Sequence, residues 1–274
     1  MKKLITLVLL FVVLQSRSQG FEGIVKWSMK MEITDPKMKA QMADAEKKMN
    51  DPANQAKMKE MQDKMNDPQF KAMMEANPQM KTQMENMMKM QGGSPSSMIP
   101  KGMSMRIKGA NTLTKIEGGM MDGMEMLHMA DKDQSVRLDR TKKTYTILTS
   151  GGGPGGQSNA APKLTKTTET AKILGYTCTK YLAEYVEAGT TRTETFWATT
   201  EIKDMDMKSL TKQRMGQGGR TMLPAGIEGV PLKIESSMKE GNMTMEVTEI
   251  KRESQSASDF TIPSDYKEVK GMGF

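Results

Sequence analysis

The sequence predicts an α+β protein in which an antiparallel β-sheet is interrupted, just after its first strand, by a methionine-rich helical block. Three observations carry this expectation. Short segments of alternating apolar and polar residues recur on both sides of residues 35–92, separated by turn-forming residues. Between them Asp-Pro recurs at Asp35-Pro36, Asp51-Pro52 and Asp67-Pro68, a period of sixteen residues. Methionine supplies 32 of 274 residues, whereas aromatic residues are 5% and all hydrophobic residues 36%, a lean core for this length.

The chain opens with the pattern of a secretory signal over residues 1–20. Lys2 and Lys3 form a basic start, and Leu4 to Leu14 is an apolar run too short to span a membrane as a mature helix. Small residues in Ser16-Arg17-Ser18 and Ser18-Gln19-Gly20 predict cleavage close to Gln19. No cysteine stands at the cleavage site, so lipoprotein-type attachment is not expected. The mature chain is expected in the periplasm or outside the cell, without a transmembrane segment.

Residues 21–34 hold the first strand. Val25, Trp27, Met29, Met31 and Ile33 keep strict period two, which marks a half-buried strand with Trp27 as a core anchor. The block over 35–92 then reads as short helices. Asp is suited to the N-cap and Pro to the first helical position. Met38, Met42, Ala45 and Met49 fall on one helical stripe, and a shift of sixteen gives Asn54, Met58, Met61 and Met65. The third unit keeps Phe70 and Met74, breaks at Asn77-Pro78, and resumes with Met84 and Met88. Sixteen residues advance a straight helix about 160° beyond whole turns, so neighbouring stripes agree only if the helices kink or fold back. The expected apolar face is Met38, Met42, Met49, Met58, Met61, Met65, Phe70, Met74, Met84 and Met88. Met is flexible and polarizable, which suits a face that adapts to its partner. The spelling DPQFKAMMEANPQMKTQMENMM resembles the Met-rich client-binding repeats of ubiquilin-type and Hop-type cochaperones.

Strands resume over 98–149, in MSMRIKG, TLTKIEG, MEMLHMAD, QSVRLD and KTYTILT, joined by tight turns. A Gly-rich linker covers 150–162. The second β half runs over 163–274. Tyr176 and Tyr181 near its start and Trp197 in TRTETFWATTEI are expected in the sheet core, with a short helix near 204–215. VPLKIESSMK and MTMEVTEIKRE form a last hairpin, and DFTIPSDY closes the chain.

At this point a family emerges. KILGYTCTKY, FWATTEI, GVPLKIE, VTEIKRES and DFTIPSDY, with FEGIVKWSM and VRLDRTKKTY earlier, resemble a bacterial family of exported proteins of unknown function, DUF 4412. The helical block departs from that pattern as an insertion. The resemblance implies a fold similar to the lipoprotein carriers LolA and LolB, an open half-barrel whose concave face is covered by helices. On that implication the Met-faced helices are the expected cover.

The remaining chemistry narrows the function. His128, the only histidine, lies beside Met124 and Met126 in GGMMDGMEMLHMAD. Thioether and imidazole ligands suit Cu(I), and similar Met/His clusters occur in periplasmic copper-resistance proteins, so Met124, Met126 and His128 are a candidate copper site. No GxSxG accompanies His128, no P-loop lysine follows the glycine run, and the acids are scattered, so no enzyme constellation emerges. Cys178 is the single cysteine and reads as a buried apolar residue. The net charge is +7 and the mean hydropathy −0.58. That charge favours contact with anionic membrane surfaces, but its interspersed distribution argues against nucleic acid. The expected function is a non-enzymatic protein that holds a lipid chain or polypeptide segment between a curved sheet and Met-faced helices. Copper or silver binding, and docking of another envelope protein, are the alternatives.

Overall fold

The computed structural model describes residues 20–77, 99–148, 161–187, 190–207, 214–215, 220–221 and 223–269. Residues 1–19 of the expected signal, most of the Gly-rich linker, and Met84 and Met88 lie outside these. The strands are β1 (Glu22–Ile33), β2 (Gly102–Lys108), β3 (Asn111–Glu117), β4 (Glu125–Met129), β5 (Gln134–Asp139), β6 (Thr144–Ile147), β7 (Lys163–Ile173), β8 (Tyr176–Glu187), β9 (Thr190–Thr199), β10 (Arg214–Met215), β11 (Arg220–Thr221), β12 (Val230–Ser237), β13 (Gly241–Arg252) and β14 (Lys267–Glu268). The helices are α1 (Pro36–Asn50), α2 (Pro52–Asn66) and α3 (Pro68–Ala76).

Twelve strands form one sheet in the order β14-β6-β5-β4-β3-β2-β1-β13-β12-β9-β8-β7, while β10 and β11 pair with each other. All ladders are antiparallel except β14 on β6. The first strand of the chain therefore sits mid-sheet. It pairs with β2 from Glu22↔Lys108 to Ser28↔Gly102, and with β13 from Gly23↔Arg252 to Ile33↔Gly241. One wing grows from β2 and the other from β13.

Period-two alternation gives the sheet an inner face that runs across both wings. Val25, Trp27, Met103, Met105, Ile107, Ile116, Met126, Tyr181, Ala183, Phe196, Ile234, Met245 and Val247 are buried in one cluster. The cluster runs without a break from β4 to β8 across the strands that lie between them, along the inner face of a curved sheet. The sheet does not close, because β7 and β14 remain at its two edges. Bulges at Lys26/Trp27 and at Pro231/Lys233 bend the central strands. The second also accommodates Pro231, which cannot donate to a ladder. At the entry to β12, Gly229 has φ 85°, and a Cβ there would lie 2.1 Å from the Thr199 carbonyl oxygen, so no other residue fits.

The wing of β3 to β5 is apolar on its outer face too. Leu113, Leu127, Met129, Val136 and Leu138 form a second cluster, capped by the C-terminal segment through Phe260, with Ile262 and Tyr266 half-buried beside it. A short 3₁₀ turn, Ala257–Phe260, delivers Phe260 there.

Each helix starts as its sequence dictates. Asp35 Oδ1 accepts from the Met38 amide at 2.7 Å, Asp51 Oδ1 from Ala53 at 2.8 Å, and Asp67 Oδ1 from Gln69 at 2.8 Å. In α1 the half-buried positions are Met38, Met42, Ala45 and Met49, the expected stripe. Met61 and Phe70 are half-buried as well. Yet no described side chain of the three helices is buried, and α1, α2 and α3 make their main contacts with one another. Among the described residues the helices therefore do not take the expected role as cover of the concave face. The β9–β12 connection covers that face instead: Ile202, Met205 and Leu223 are buried in the inner cluster, with Met207 and Ile227 packed against it. The backbone holds this connection in place. Phe21 N–H donates to the Asp204 carbonyl at 2.8 Å, and Arg252 grips the Asp204 carboxylate with both Nη1 and Nη2. That grip holds the Asp204 carboxyl below its ordinary range. Of the expected helix near 204–215, Asp204 and Met205 lie in bends, Met207 is helical, residues 208–213 lie outside the described residues, and Arg214–Met215 is strand β10.

Two outcomes follow. Replacing residues 35–92 by a short Gly/Ser linker leaves the sheet's thermal midpoint within about 3 °C of the parent, since no described side chain of α1–α3 is buried in the sheet core; calorimetry reading a loss of ten degrees or more would place the helices on the sheet. Phe260→Ala destabilises by about 3–5 kcal/mol in urea unfolding, because it empties the cap of the outer cluster.

Candidate functional site

The inner face is buried at one end and half-exposed at the other. Along β1, Val25 and Trp27 are buried, whereas Met29, Met31 and Ile33 are half-buried. Along β13, Val247 and Met245 are buried and Met243 half-buried. On β8, Tyr181 and Ala183 give way to half-buried Tyr185, and on β9 Phe196 gives way to Glu194 and Arg192. These gradients run the same way in space. The start of β1, the start of β12 and the end of β9 share the closed end, beneath the β9–β12 connection. The end of β1, the β12–β13 hairpin and the β8–β9 hairpin share the open end.

The register defines the lip of that open end. Met29 faces Met245 and Met31 faces Met243 across β1 and β13. Ser236 faces Met243 and Glu194 faces Ser236 one and two strands further on. Tyr185 faces Arg192 on β8 and β9. A strip of methionines thus runs into a polar corner. Trp27 lies one step deeper, and its buried Nε1–H meets no acceptor among the described residues. The helical block leaves from this same end, where the Thr34 and Asp35 amides donate to the Glu240 carbonyl at 3.0 and 3.2 Å.

Other expected site residues fall in several places. Trp27 and Tyr181 are core, as expected. Tyr176 is half-buried at the edge of the inner cluster. Trp197 is half-buried and packs against the edge of the inner cluster rather than inside it. Its parity on β9 is opposite to Phe196, which puts it on the outer face, where Nε1–H donates to Glu235 at 3.0 Å and Lys180 Nζ stands 5.7 Å from the ring centre. Met38, Met42, Met49, Met61 and Phe70 lie on the helices, and Phe70 lines an open cleft of about 870 Å³ with Ala56, Met73 and charged residues of α2. For Met58, Met65 and Met74 only the helical backbone is described.

Met124, Met126 and His128 share the inner face of the β2 wing. Met126 and His128 are buried, with Thr112 and Ser135 opposite His128 on the flanking strands. His128 Nδ1 and Ser135 Oγ are 3.0 Å apart. Only one strand contributes Met and His there, and the flanking positions are hydroxyl and arginine side chains, which are poor partners for a soft ion. Among the described residues no group of three or more His, Cys, Asp or Glu side chains gathers as a metal site. Cys178 is fully buried, and burial pushes its thiol up to about 11, which keeps it protonated and unreactive at neutral pH. No helix among the described residues is long and apolar enough to cross a membrane.

Arg192 and Glu194 were not legible as site residues from charge alone. The available signal was parity: in TRTETFWAT both share a face with Phe196 and Ala198, so two charges had to stand on the apolar side.

Among solved structures, the chain is similar to PNGF-II, at 16% identity and a TM-score of 0.36, covering 62% of this chain and 28% of that one. The chain therefore spans little more than a quarter of PNGF-II. It is also similar to the lipoprotein LppX of Mycobacterium tuberculosis, at 10% identity and a TM-score of 0.30 over 60% of this chain and 82% of that one. A third is LprF from Mycobacterium bovis, at 10% identity and a TM-score of 0.28 over 62% and 84%. A comparison with curated protein sequences finds no match. One family model, described as a domain of unknown function (DUF4412), matches residues 84–266, leaving β1 and most of the helical block outside the match. That match covers more than half of the chain, which belongs to the DUF4412 family.

Proposed function

We propose that this protein is a non-enzymatic binder of a hydrophobic ligand, held at the open end of the inner face. The carrying observation is the burial gradient shared by β1, β13, β8 and β9. The closed end is filled by Phe21 and Ile107 together with Ile202 and Met205 of the β9–β12 connection, while strand alternation leaves Met29, Met31, Ile33 and Met243 half-exposed at the other end. A run of apolar side chains on the concave side of a sheet, continuous with the core and incompletely covered, is the usual setting for an apolar ligand. Methionine suits it, since a flexible thioether chain repacks around ligands of different shape. The ligand class is an acyl chain or an apolar polypeptide segment. The Met-faced helices border the site because they are tethered to the same end by Asp35, and they supply further apolar surface beside the lip. If residues 1–20 act as the secretory signal they resemble, this activity belongs in the periplasm or outside the cell.

The lip variant tests the reading. Met31→Asp combined with Met243→Asp places two carboxylates on the apolar strip and weakens binding of a twelve-carbon fluorescent acyl probe by at least about tenfold. Met42→Asp combined with Met61→Asp, on the helices, has a smaller effect. If the helix variant loses the probe and the lip variant keeps it, the binding surface is the helical block rather than the sheet.

A further inference from the structure

The lip carries charges that a purely apolar groove does not need. Arg192 and Glu194 stand on the inner face of β9, and their side chains are only 21% and 16% exposed. The Arg192 guanidinium lies over the Tyr185 ring, 5.1 Å from its centre, and Ser236 Oγ donates to Glu194 Oε1 at 3.2 Å. Arg192 Nη2 approaches the same Glu194 oxygen to 3.0 Å, which supplies opposite charge without an aligned hydrogen bond. Nε and Nη2 of Arg192 are both buried and have no hydrogen-bond acceptor among the described residues.

These two nitrogens form one edge of the guanidinium fork, the edge that grips a carboxylate or phosphate with two parallel N–H···O bonds. Leaving both donors buried and unused is costly, so a ligand oxyanion there gains more than it would at an exposed arginine. Met243 and Met31 lie two and three strands away on the same face, about 14 Å at the far end for strands spaced near 4.8 Å. Only a long chain reaches from the fork to that strip. Tyr185 holds the guanidinium plane from one side, and Glu194 competes with the ligand for it from the other.

We infer that the lip takes a single-chain amphiphile with an anionic oxygen headgroup, Arg192 donating Nε–H and Nη2–H to the headgroup while the chain lies along Met243, Met31 and Met29. This rests on the hydrophobic-ligand reading above and names its ligand class. A carboxylate and a phosphate monoester share the recognised chemistry, and separate probes tell them apart.

Isothermal titration of the mature chain at low ionic strength, with dodecanoate, dodecyl phosphate, dodecanol and dodecyltrimethylammonium below their micelle concentrations, tests it. At least one anionic probe binds about tenfold or more tighter than dodecanol, and the cationic probe binds weakest. Arg192→Gln removes the preference for the anion and leaves dodecanol affinity within about twofold. Glu194→Gln increases the preference, since it removes the competitor. Arg192→Lys, which keeps the charge and loses the fork, retains a reduced preference and serves if the Gln variant is poorly folded. Equal affinity for dodecanol and both anions in the parent chain, or an anion preference unchanged in the Arg192 variants, overturns this inference while leaving the hydrophobic-ligand reading standing. Failure of all four probes to bind the parent chain overturns both.

Discussion

The rest of the structure depends on the double pairing of β1. This strand has β2 on one side and β13 on the other, and those neighbours come from the two halves of the chain. Its alternation sets which face of each wing points inward. A slip of one residue would turn Val25, Trp27, Met29 and Met31 outward and bring Lys26, Ser28 and Lys30 into the core, and both wings would have to follow. Trp27 is the residue that makes such a slip most costly, because it is buried against Met103 on one side and Val247 on the other. The bulge at Lys26/Trp27 lets β13 insert one residue without breaking that alignment, and it bends the sheet where the wings begin to curl.

From this constraint the site follows. The inner face is one surface, so whatever fills one end decides what the other can hold. The β9–β12 connection fills the end where β9 stops and β12 starts, and the Arg252 grip on Asp204 ties it to the end of β13. The opposite end keeps its methionines half-exposed. The outer face of β1, β8, β12 and β13 is a ladder of ion pairs, such as Lys26–Glu249 at 2.7 Å and Lys233–Glu235 at 2.8 Å. Such exposed pairs add little stability, but they make the outer face of these strands polar, in contrast to the methionines on their inner face. The open edge strand β7 is protected in the same spirit: it is rich in Thr and Lys and carries a register shift between Lys166 and Thr170, which discourages pairing with another chain.

Much of this was legible in the sequence because period two and capping are local signals. The strand in FEGIVKWSMKMEI, the meander from Gly102 to Ile147 and the VPLKIE/MTMEVTEI hairpin appear where alternation places them. The Asp-Pro starts and the α1 stripe Met38, Met42, Ala45, Met49 appear as well. What a helix stripe leaves open is its partner. A face of Met38 and Met42 is equally compatible with packing on a sheet and with standing beside it, and only the tertiary structure decides. The region near 204–215 follows its sequence in part: Met207 is helical, whereas Ile202 and Met205 just before it are buried from an irregular segment and Arg214–Met215 is a strand. Trp197 alternates with Phe196 and Ala198 on β9, so it is half-buried at the edge of the cluster in which those two are buried. The β14–β6 pair, two residues long and parallel, carries no sequence pattern at all.

Methionine oxidation measures the central claim directly, because the chain has methionines at every depth of the inner face. Brief peroxide treatment of the folded protein, followed by peptide mass spectrometry, reports thioether accessibility residue by residue. The account predicts that Met29, Met31 and Met243 oxidise on the timescale of exposed Met120 and Met121, that Met103, Met105 and Met205 stay reduced, and that an acyl ligand protects only the first group. Uniform oxidation along the inner face, or lip methionines as protected as Met103 in the ligand-free chain, would contradict it.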